Sequence, residues 1–434
     1  MGRATATARA QKAPAEPAVT SQTATDAHPP ERTVRSHDFA WFWRAYTVSI
    51  FGDQITLVAL PIAVFARTQS ALAVGIAASM QGATTLVFGL FAGALADRLR
   101  HRPVLILTDL VRALVLGSLA FMVVATPTYP VGAVYVAAFL LGAFGILHDA
   151  TGGAALPVVV SGRDLLKANG RLSGSESVGN AGGPALAGLL TSISVGLAFG
   201  ADALTFVLSM FGISRVRAFR SQKAPQRHPT TMRSDIREGL AAVWADRPVM
   251  KAVTLIAAMN MMAVAVEAQF IPYAKTVLHL SDFGIGVYFA IGGAAGVLTA
   301  IALGRSDHTR GDAMILGAAV FALGVLLAGI WPSRAIVVVT YIAAGAGSVL
   351  AVTHWSSLRQ RRFPVRLLGR VTVATRMVLF GVIPVAAVAG GALARSEGSQ
   401  ALFVVAACVG LAGCAWAFAV GLGSLRVDDV VQEG

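Results

Sequence analysis

Charge is scarce in this chain of 434 residues: 35 Lys and Arg with 22 Asp and Glu amount to 13%, where a soluble domain carries roughly a quarter. Even that stock is uneven. Residues 1–38 hold nine charges and residues 215–251 hold twelve, leaving 36 for the other 359 positions. A water-facing surface of that size cannot be covered so thinly without exposing large apolar patches, so a soluble fold is excluded. Cysteine is nearly missing. Cys408 and Cys414 lie six apart in one late apolar stretch, with no CxxC or Cys/His spacing. They exclude a disulfide scaffold and a metal site, and read as small buried apolar side chains. A P-loop, a nucleophile elbow and a zinc motif are all lacking. Gly292-Gly293-Ala-Ala-Gly296 approximates a dinucleotide fingerprint but sits in an apolar stretch with no strand before it. ATP is therefore not the energy source on this chain, no cofactor is expected, and no catalytic constellation of an enzyme emerges. Residues 1–38 lack an apolar run and are rich in Ala, Thr, Pro and Gln, with Glu16, Asp26 and Glu31 among them. They read as a disordered tail rather than a signal or transit peptide.

What is present is apolar length. Hydrophobic residues make up 56% of the chain and mean hydropathy is +0.69. Twelve apolar runs follow one another, at about 41–66, 73–96, 104–126, 131–155, 174–195, 197–214, 251–273, 284–304, 313–331, 335–356, 370–394 and 399–422. Runs of that length suit helices crossing ~30 Å of hydrocarbon, whereas barrel strands would alternate apolar and polar residues. The 45 glycines, mostly inside these runs, suit helices packed through small residues. The expectation is an all-α membrane protein of twelve transmembrane helices in two six-helix bundles.

Lys and Arg counting orients the chain. With the amino terminus cytoplasmic, inner loops hold 22 basic residues and outer loops four, namely Arg67, Lys275, Arg334 and Arg395. Both termini are expected inside, and the basic excess is a topology signal rather than a nucleic-acid footprint. The stretch 215–250, with Pro225 and Pro229, separates a first bundle (39–214) from a second (251–422), and 423–434 forms a cytoplasmic tail. Within the linker, Ser234 to Trp244 has helical periodicity and is expected along the inner membrane surface. Two six-helix halves related by an axis along the membrane normal place a binding site between them at the midplane.

Two motifs stand out. Gly93-Ala-Leu-Ala-Asp97-Arg98-Leu-Arg100-His101-Arg102 follows the second run and resembles the loop 2–3 signature of the major facilitator superfamily. Gly93, Asp97, Arg98 and Arg102 match, while Arg100 and His101 depart from it. The resemblance implies a cytoplasmic latch between the halves, against the start of span eleven near Gly369 and Arg370. The second motif, Gly170, Gly179, Gly183-Pro184 and Gly188, resembles the antiporter motif of facilitator-type exporters, with Ala187 in place of one glycine. A mid-helix proline removes a hydrogen bond and bends the helix, and the glycines admit a neighbour. Ser70 to Gly75, Asp109-Leu-Val-Arg112-Ala113, Ala155-Leu156-Pro157, Asp202 to Phe206, Gln360 to Pro364 and Gly369-Arg370-Val371 extend the likeness over 39–422. Together they resemble the drug:proton antiporter branch that holds macrolide and enterobactin exporters. His148-Asp149-Ala150 departs from that branch.

Ionisable residues inside spans are costly and point to function. Asp53 in span one and Glu267 in span seven occupy matching helices of the two halves. By symmetry both face the central cavity, where withdrawal from water favours the protonated form that proton exchange requires. Asp109 and Arg112, three apart on span three, can pair with each other as a structural ion pair, or Arg112 can hold another carboxylate's charge in place during the cycle. His148 and Asp149 sit in span four, and Arg376 in span eleven reads as a counter-ion to Asp149 or to an anionic substrate. Asp202 reads as a helix cap. Phe270, Tyr273, Tyr288 and Phe289 line either an amphipathic-ligand pocket or the core.

The reading is a secondary transporter of the cell membrane, working as a monomer, whose partners are protons, lipid and an organic small molecule. It exports an antibiotic, natural product or siderophore by proton antiport and alternating access. An importer or symporter of the same fold and a transport-inactive scaffold or sensor remain as alternatives.

Overall fold

Apolar runs in hydrocarbon must satisfy every backbone N–H and C=O within the segment, and a helix does so locally. A computed structural model describes residues 2, 36–96, 99–126, 128–160, 164–221, 232–303 and 311–424. Among the described residues every long element is an α-helix. In chain order they are α1 (Ser36–Thr68), α2 (Ala71–Ala96), α3 (His101–Ala125), α4 (Val131–Val159), α5 (Leu165–Ile193), α6 (Val195–Arg215) and α7 (Met232–Ala245). Then follow α8 (Arg247–Thr276), α9 (Asp282–Leu303), α10 (Gly311–Ile330), α11 (Arg334–Arg362), α12 (Val365–Gly381), α13 (Ile383–Glu397) and α14 (Ser399–Ala419).

Eleven of the described segments are long and apolar enough to cross a membrane, with α12 and α13 counted as one bent span interrupted at Val382-Ile383-Pro384. The expected fifth span is present as α5 and has the length, but Lys167, Arg171, Glu176 and Asn180 make it more polar than the rest. The helix begins at Leu165, well before the expected start at 174. Large apolar side chains such as Phe121 (75% exposed), Val124 (72%) and Phe418 (75%) coat the outside, as hydrocarbon contact requires. Cys414 is buried but Cys408 is exposed, so only one of the two cysteines is the buried residue expected.

The helices pack by one rule used twice. In the first half α1 packs on α5 and α6, α2 on α4, and α3 on α4 and α6. In the second, α8 packs on α13 and α14, α9 on α11, and α10 on α11 and α14. The halves meet through α5 against α9 and, reciprocally, α2 against α13, with α8 touching α1 and α2. This is the internal symmetry expected of a repeat-built transporter.

Contact between the halves is tightest at the end that carries the α1–α2 and α5–α6 turns. There Gln269 Nε2 donates to the Ala71 carbonyl at 3.0 Å. Gly188 and Gly286 bring α5 and α9 together backbone to backbone: a Cβ on Gly188 would lie 2.7 Å from the Asp282 carbonyl oxygen and 3.0 Å from Gly286 Cα. Towards the other end, Cβ atoms added at Gly152 and Gly153 of α4, or at Gly170 and Gly174 of α5, would meet nothing within 4 Å among the described residues. The α7 helix packs on α12. Gly239 abuts the Arg370 backbone and Ala374, and Glu238 pairs with Arg370 at 2.5 Å.

The Gly188–Gly286 approach leaves no room for a side chain. Gly188→Leu is expected to cost about 1–3 kcal/mol, the usual range for overpacking a tight contact. A lower melting midpoint of the detergent-purified protein checks this, with Gly174→Leu, which meets open space, as the control.

Candidate functional site

The polar residues of α1 set the site. Asp53 projects from the middle of α1 and is 46% exposed, while its partner Arg112 on α3 is 4% exposed. Arg112 Nη2 donates to Asp53 Oδ1. The Asp109–Arg112 pair is thus not the one formed. Asp109 points instead to α4, where its Oδ1 lies 3.1 Å from His148 Nδ1. That nitrogen is also 3.1 Å from Thr108 Oγ1. The guanidinium of Arg112 lies over the Phe206 ring of α6, 3.8 Å from Cζ to the centroid, a cation–π contact.

Asp202 is not a cap. Ser194 caps α6 by accepting from Gly196 N at 3.2 Å. Asp202 lies two turns further on, fully buried, accepting from Thr56 and, at 3.0 Å, from Thr205 Oγ1. A carboxylate so placed must find donors inside the protein.

These groups border a cavity of about 380 Å³ in the first half, lined by residues of α1, α2, α3, α4 and α6 including Gln54, Gln81 and Thr84. Asp53, Asp149 and Asp202 are set against the single Arg112 in its wall. Asp149 is exposed to this space, within electrostatic reach of Asp53, Glu176 and Arg376. Arg376 is exposed on α12, and no ion pair joins it to Asp149 among the described residues.

A polar ladder ties α1 to α5 beside the cavity. Trp43 Nε1 donates to Ser175 Oγ at 2.9 Å, Tyr46 donates to Glu176, and Gln54 donates to Asn180. Glu176 was not singled out in the sequence, although a carboxylate inside a span is the same signal that marked Asp53. The glycines Gly179 and Gly183 of the exporter-like motif face this ladder. Gly179 abuts Ile50, and a Cβ on Gly183 would stand 2.5 Å from Gln54 Cβ. Pro184 and Gly188 turn the other way, onto Gly286 of α9.

The second half is built differently. Glu267 is exposed on α8, within electrostatic reach of Tyr341 on α11, and no ion pair holds it among the described residues. Beside it Phe270, Phe289 and Tyr341 form an edge-on cluster, with ring centroids 4.7 to 5.5 Å apart. Phe270 and Tyr273 are wholly buried. Tyr273 stacks on Phe403 and donates to the Ala328 carbonyl at 2.7 Å, which makes it core. Tyr288 donates to the Arg334 carbonyl at 3.0 Å. His354 is buried next to Trp355, its Nδ1 2.9 Å from the Leu350 carbonyl.

Of the expected latch, Asp97 and Arg98 lie outside the described residues. Gly93 falls within α2, and Arg102 Nη2 donates to the Ser214 carbonyl at 2.9 Å, joining α3 to the end of α6. A Cβ added at Gly369 would meet nothing within 4 Å among the described residues.

The sequence profile of the Major Facilitator Superfamily matches residues 42–386. The chain belongs to the major facilitator superfamily. Similar members include the multidrug efflux pump Tap of Mycolicibacterium fortuitum, 28% identical over 81% of this chain and 88% of that one. The macrolide efflux protein A of Streptococcus pyogenes is 23% identical over 85% and 92%. The enterobactin exporter EntS of Shigella dysenteriae serotype 1 is 25% identical over 75% and 77%. The fold matches the crystal structure of a bacterial homologue of the iron transporter ferroportin in its inward-facing state. That match has a TM-score of 0.71 at 15% identity and covers 88% of this chain and 98% of the other. The superfamily fold therefore accounts for the paired six-helix sets, and membership makes this a multi-pass membrane transporter.

Among the site's contacts, the Thr56–Asp202 hydrogen bond is the cleanest to break. Thr56→Val keeps the shape and removes the donor, leaving a buried carboxylate short of one partner. The expected loss is about 1–3 kcal/mol, read as a lower melting midpoint that Thr56→Ser restores.

Proposed function

We propose that this transporter exports an amphipathic organic small molecule, such as an antibiotic, natural product or siderophore, in exchange for protons. It acts as a monomer in the cell membrane with both termini cytoplasmic. Residues 39–214 and 251–422 are the two moving halves, joined by the 215–250 linker on the cytoplasmic side. The distribution of 22 inner and four outer basic residues supports this orientation. Gly93, Asp97, Arg98 and Arg102 latch the cytoplasmic ends when the cavity opens outward.

One observation carries the proton reading: the Asp53–Arg112 pair straddles the cavity wall, with the carboxylate half exposed and the guanidinium buried. A proton arriving through the cavity meets Asp53 first. Protonation removes its charge, frees Arg112 from α1 and changes the charge that a bound substrate experiences. Substrate and proton are then coupled because each shifts the same equilibrium between two arrangements. Asp149, Glu267, His148 and Arg376 complete the charged surroundings of this pathway. Export rather than import is supported by the efflux activity named for the relatives and by the glycine–proline motif at Gly179, Gly183, Pro184 and Gly188. No cofactor or metal is needed for such a cycle.

The test is expression in a pump-deficient host challenged with a panel of macrolides, dyes and siderophores. Reduced accumulation of at least one compound is expected, with resistance falling to the host level for Asp53→Asn or when a protonophore collapses the gradient. Resistance that survives both treatments removes proton coupling. Increased accumulation of a labelled compound identifies an importer instead.

A further inference from the structure

We propose that Asp109 is a second seat for the Arg112 guanidinium, so that movement of Arg112 between Asp53 and Asp109 is the two-position element of the cycle. The proposal deepens the proton-coupled reading and rests on it for the trigger. Its physical basis is a set of leftover hydrogen-bonding groups. Arg112 carries five N–H donors, yet in this structure Nη2 alone has a partner; Nε and Nη1 are buried with none. Asp109 has no exposed surface; its Oδ1 lies 3.1 Å from His148 Nδ1 and the Ser209 hydroxyl stands beside it, yet no well-aligned hydrogen bond reaches either carboxylate oxygen. Folded proteins leave few such atoms unsatisfied. Here two donors and two acceptors of complementary charge sit three residues apart on one face of α3, the spacing at which side chains on a helix meet.

The other groups around Arg112 are less suited to receive it. Asp202 on α6 already accepts from Thr56 and Thr205. Asp149 on α4 is exposed to the cavity. His148 on α4 bears on Asp109 rather than on Arg112. The Phe206 ring, 3.8 Å from Arg112 Cζ, is a flat apolar face over which a planar guanidinium can turn. Once Asp53 loses its charge, Asp109 is the buried carboxylate on Arg112's own helix, faced by His148 and Ser209 but joined by no lysine or arginine ion pair among the described residues.

The move has a mechanical consequence. With Arg112 on Asp53, α3 grips α1. With Arg112 on Asp109, that grip is internal to α3, and α1 is released. The α1 helix supports α5 through Gln54 at Gly183, and α5 closes on α9 at Gly188 and Gly286. The swap thus reaches the closed end through three packed helices.

The experiment uses the full chain in lipid nanodiscs with Cys408→Ser and Cys414→Ala, spin-labelled at Leu166→Cys and Gly369→Cys. These two exposed positions begin α5 and α12. Electron–electron double resonance reports the distance between them from pH 5 to pH 9. The expected result is two populations whose ratio changes with pH. Asp53→Asn shifts the ratio to the low-pH value at every pH, Asp109→Asn abolishes both effects, and Asp109→Glu restores them. If Asp109→Asn does not purify as a monodisperse species, Asp109→Ser takes its place. A pH response and an Asp53→Asn shift that both persist without the Asp109 carboxylate overturn the second seat and leave the proton reading standing. An Asp53→Asn shift that needs Asp109, in a protein indifferent to pH, supports the seat and overturns the proton trigger. Absence of both effects overturns both.

Discussion

A guanidinium held away from water is the constraint around which the first half of this transporter is arranged. Arg112 has almost no exposed surface, and withdrawing such an ion costs several kcal/mol unless counter-charge and hydrogen bonds replace the lost hydration. Asp53 supplies the counter-charge from α1 and Phe206 supplies a π face from α6. Three helices are thereby tied to one cation. The same contact explains why α1, α3 and α6 pack as a unit. Asp53 and Arg112 both line the cavity, with the carboxylate half exposed and the guanidinium buried. The pair is structural in this sense: opposite charges on two helices meet over an aromatic face of a third.

Much of the fold was legible because hydrocarbon imposes a rule that leaves its mark in composition. Twelve apolar runs become twelve crossings when α12 and α13 are joined. The interruption between them was not visible as a boundary, because Val382-Ile383-Pro384 is as apolar as its surroundings and only the proline marks the bend. The start of α5 escaped for the opposite reason. Lys167 and Arg171 read as inner-loop residues by polarity, yet their backbone is helical from Leu165, because a helix satisfies its own backbone whether or not its side chains are apolar. The linker helix was legible from its periodicity, but its resting place against α12 was not. That depends on Gly239, whose missing side chain admits the Arg370 backbone, and no local pattern announces a partner 131 residues away.

The candidate site was legible as a set of residues and illegible as a set of pairs. Intramembrane charge singled out Asp53, Arg112, His148 and Asp149, all of which gather at the first-half cavity or just behind it. Spacing along one helix leaves open which carboxylate holds Arg112, and contacts between helices decide it. Asp109 and Arg112 have the right spacing, but α1 and α4 each present a competing group at shorter range, Asp53 to the arginine and His148 to the aspartate. The cap reading of Asp202 fails. A carboxylate near the start of a span resembles a cap, whereas the donors that hold it come from Thr56 on α1 and from Thr205 one turn on. Local sequence carries the cost of a buried charge and does not carry the identity of the group that offsets it.

Internal symmetry sharpens the division of labour. The two halves obey the same packing rule, so α1 and α8 are equivalent, as are α3 and α10. Asp53 and Glu267 occupy the two equivalent first helices. Yet α10 carries no basic residue between Gly311 and Ile330, so Glu267 has no counterpart to Arg112 and is neighboured by Tyr341 and its aromatic cluster instead. Two carboxylates in like positions therefore stand in unlike fields. One is bound to a resident cation, and its charge is already committed to the protein. The other is uncommitted and lies beside aromatic faces, which attract the apolar and cationic parts of a ligand alike. Equivalent positions in the two halves thus hold one carboxylate paired with a buried arginine and one that no ion pair engages among the described residues.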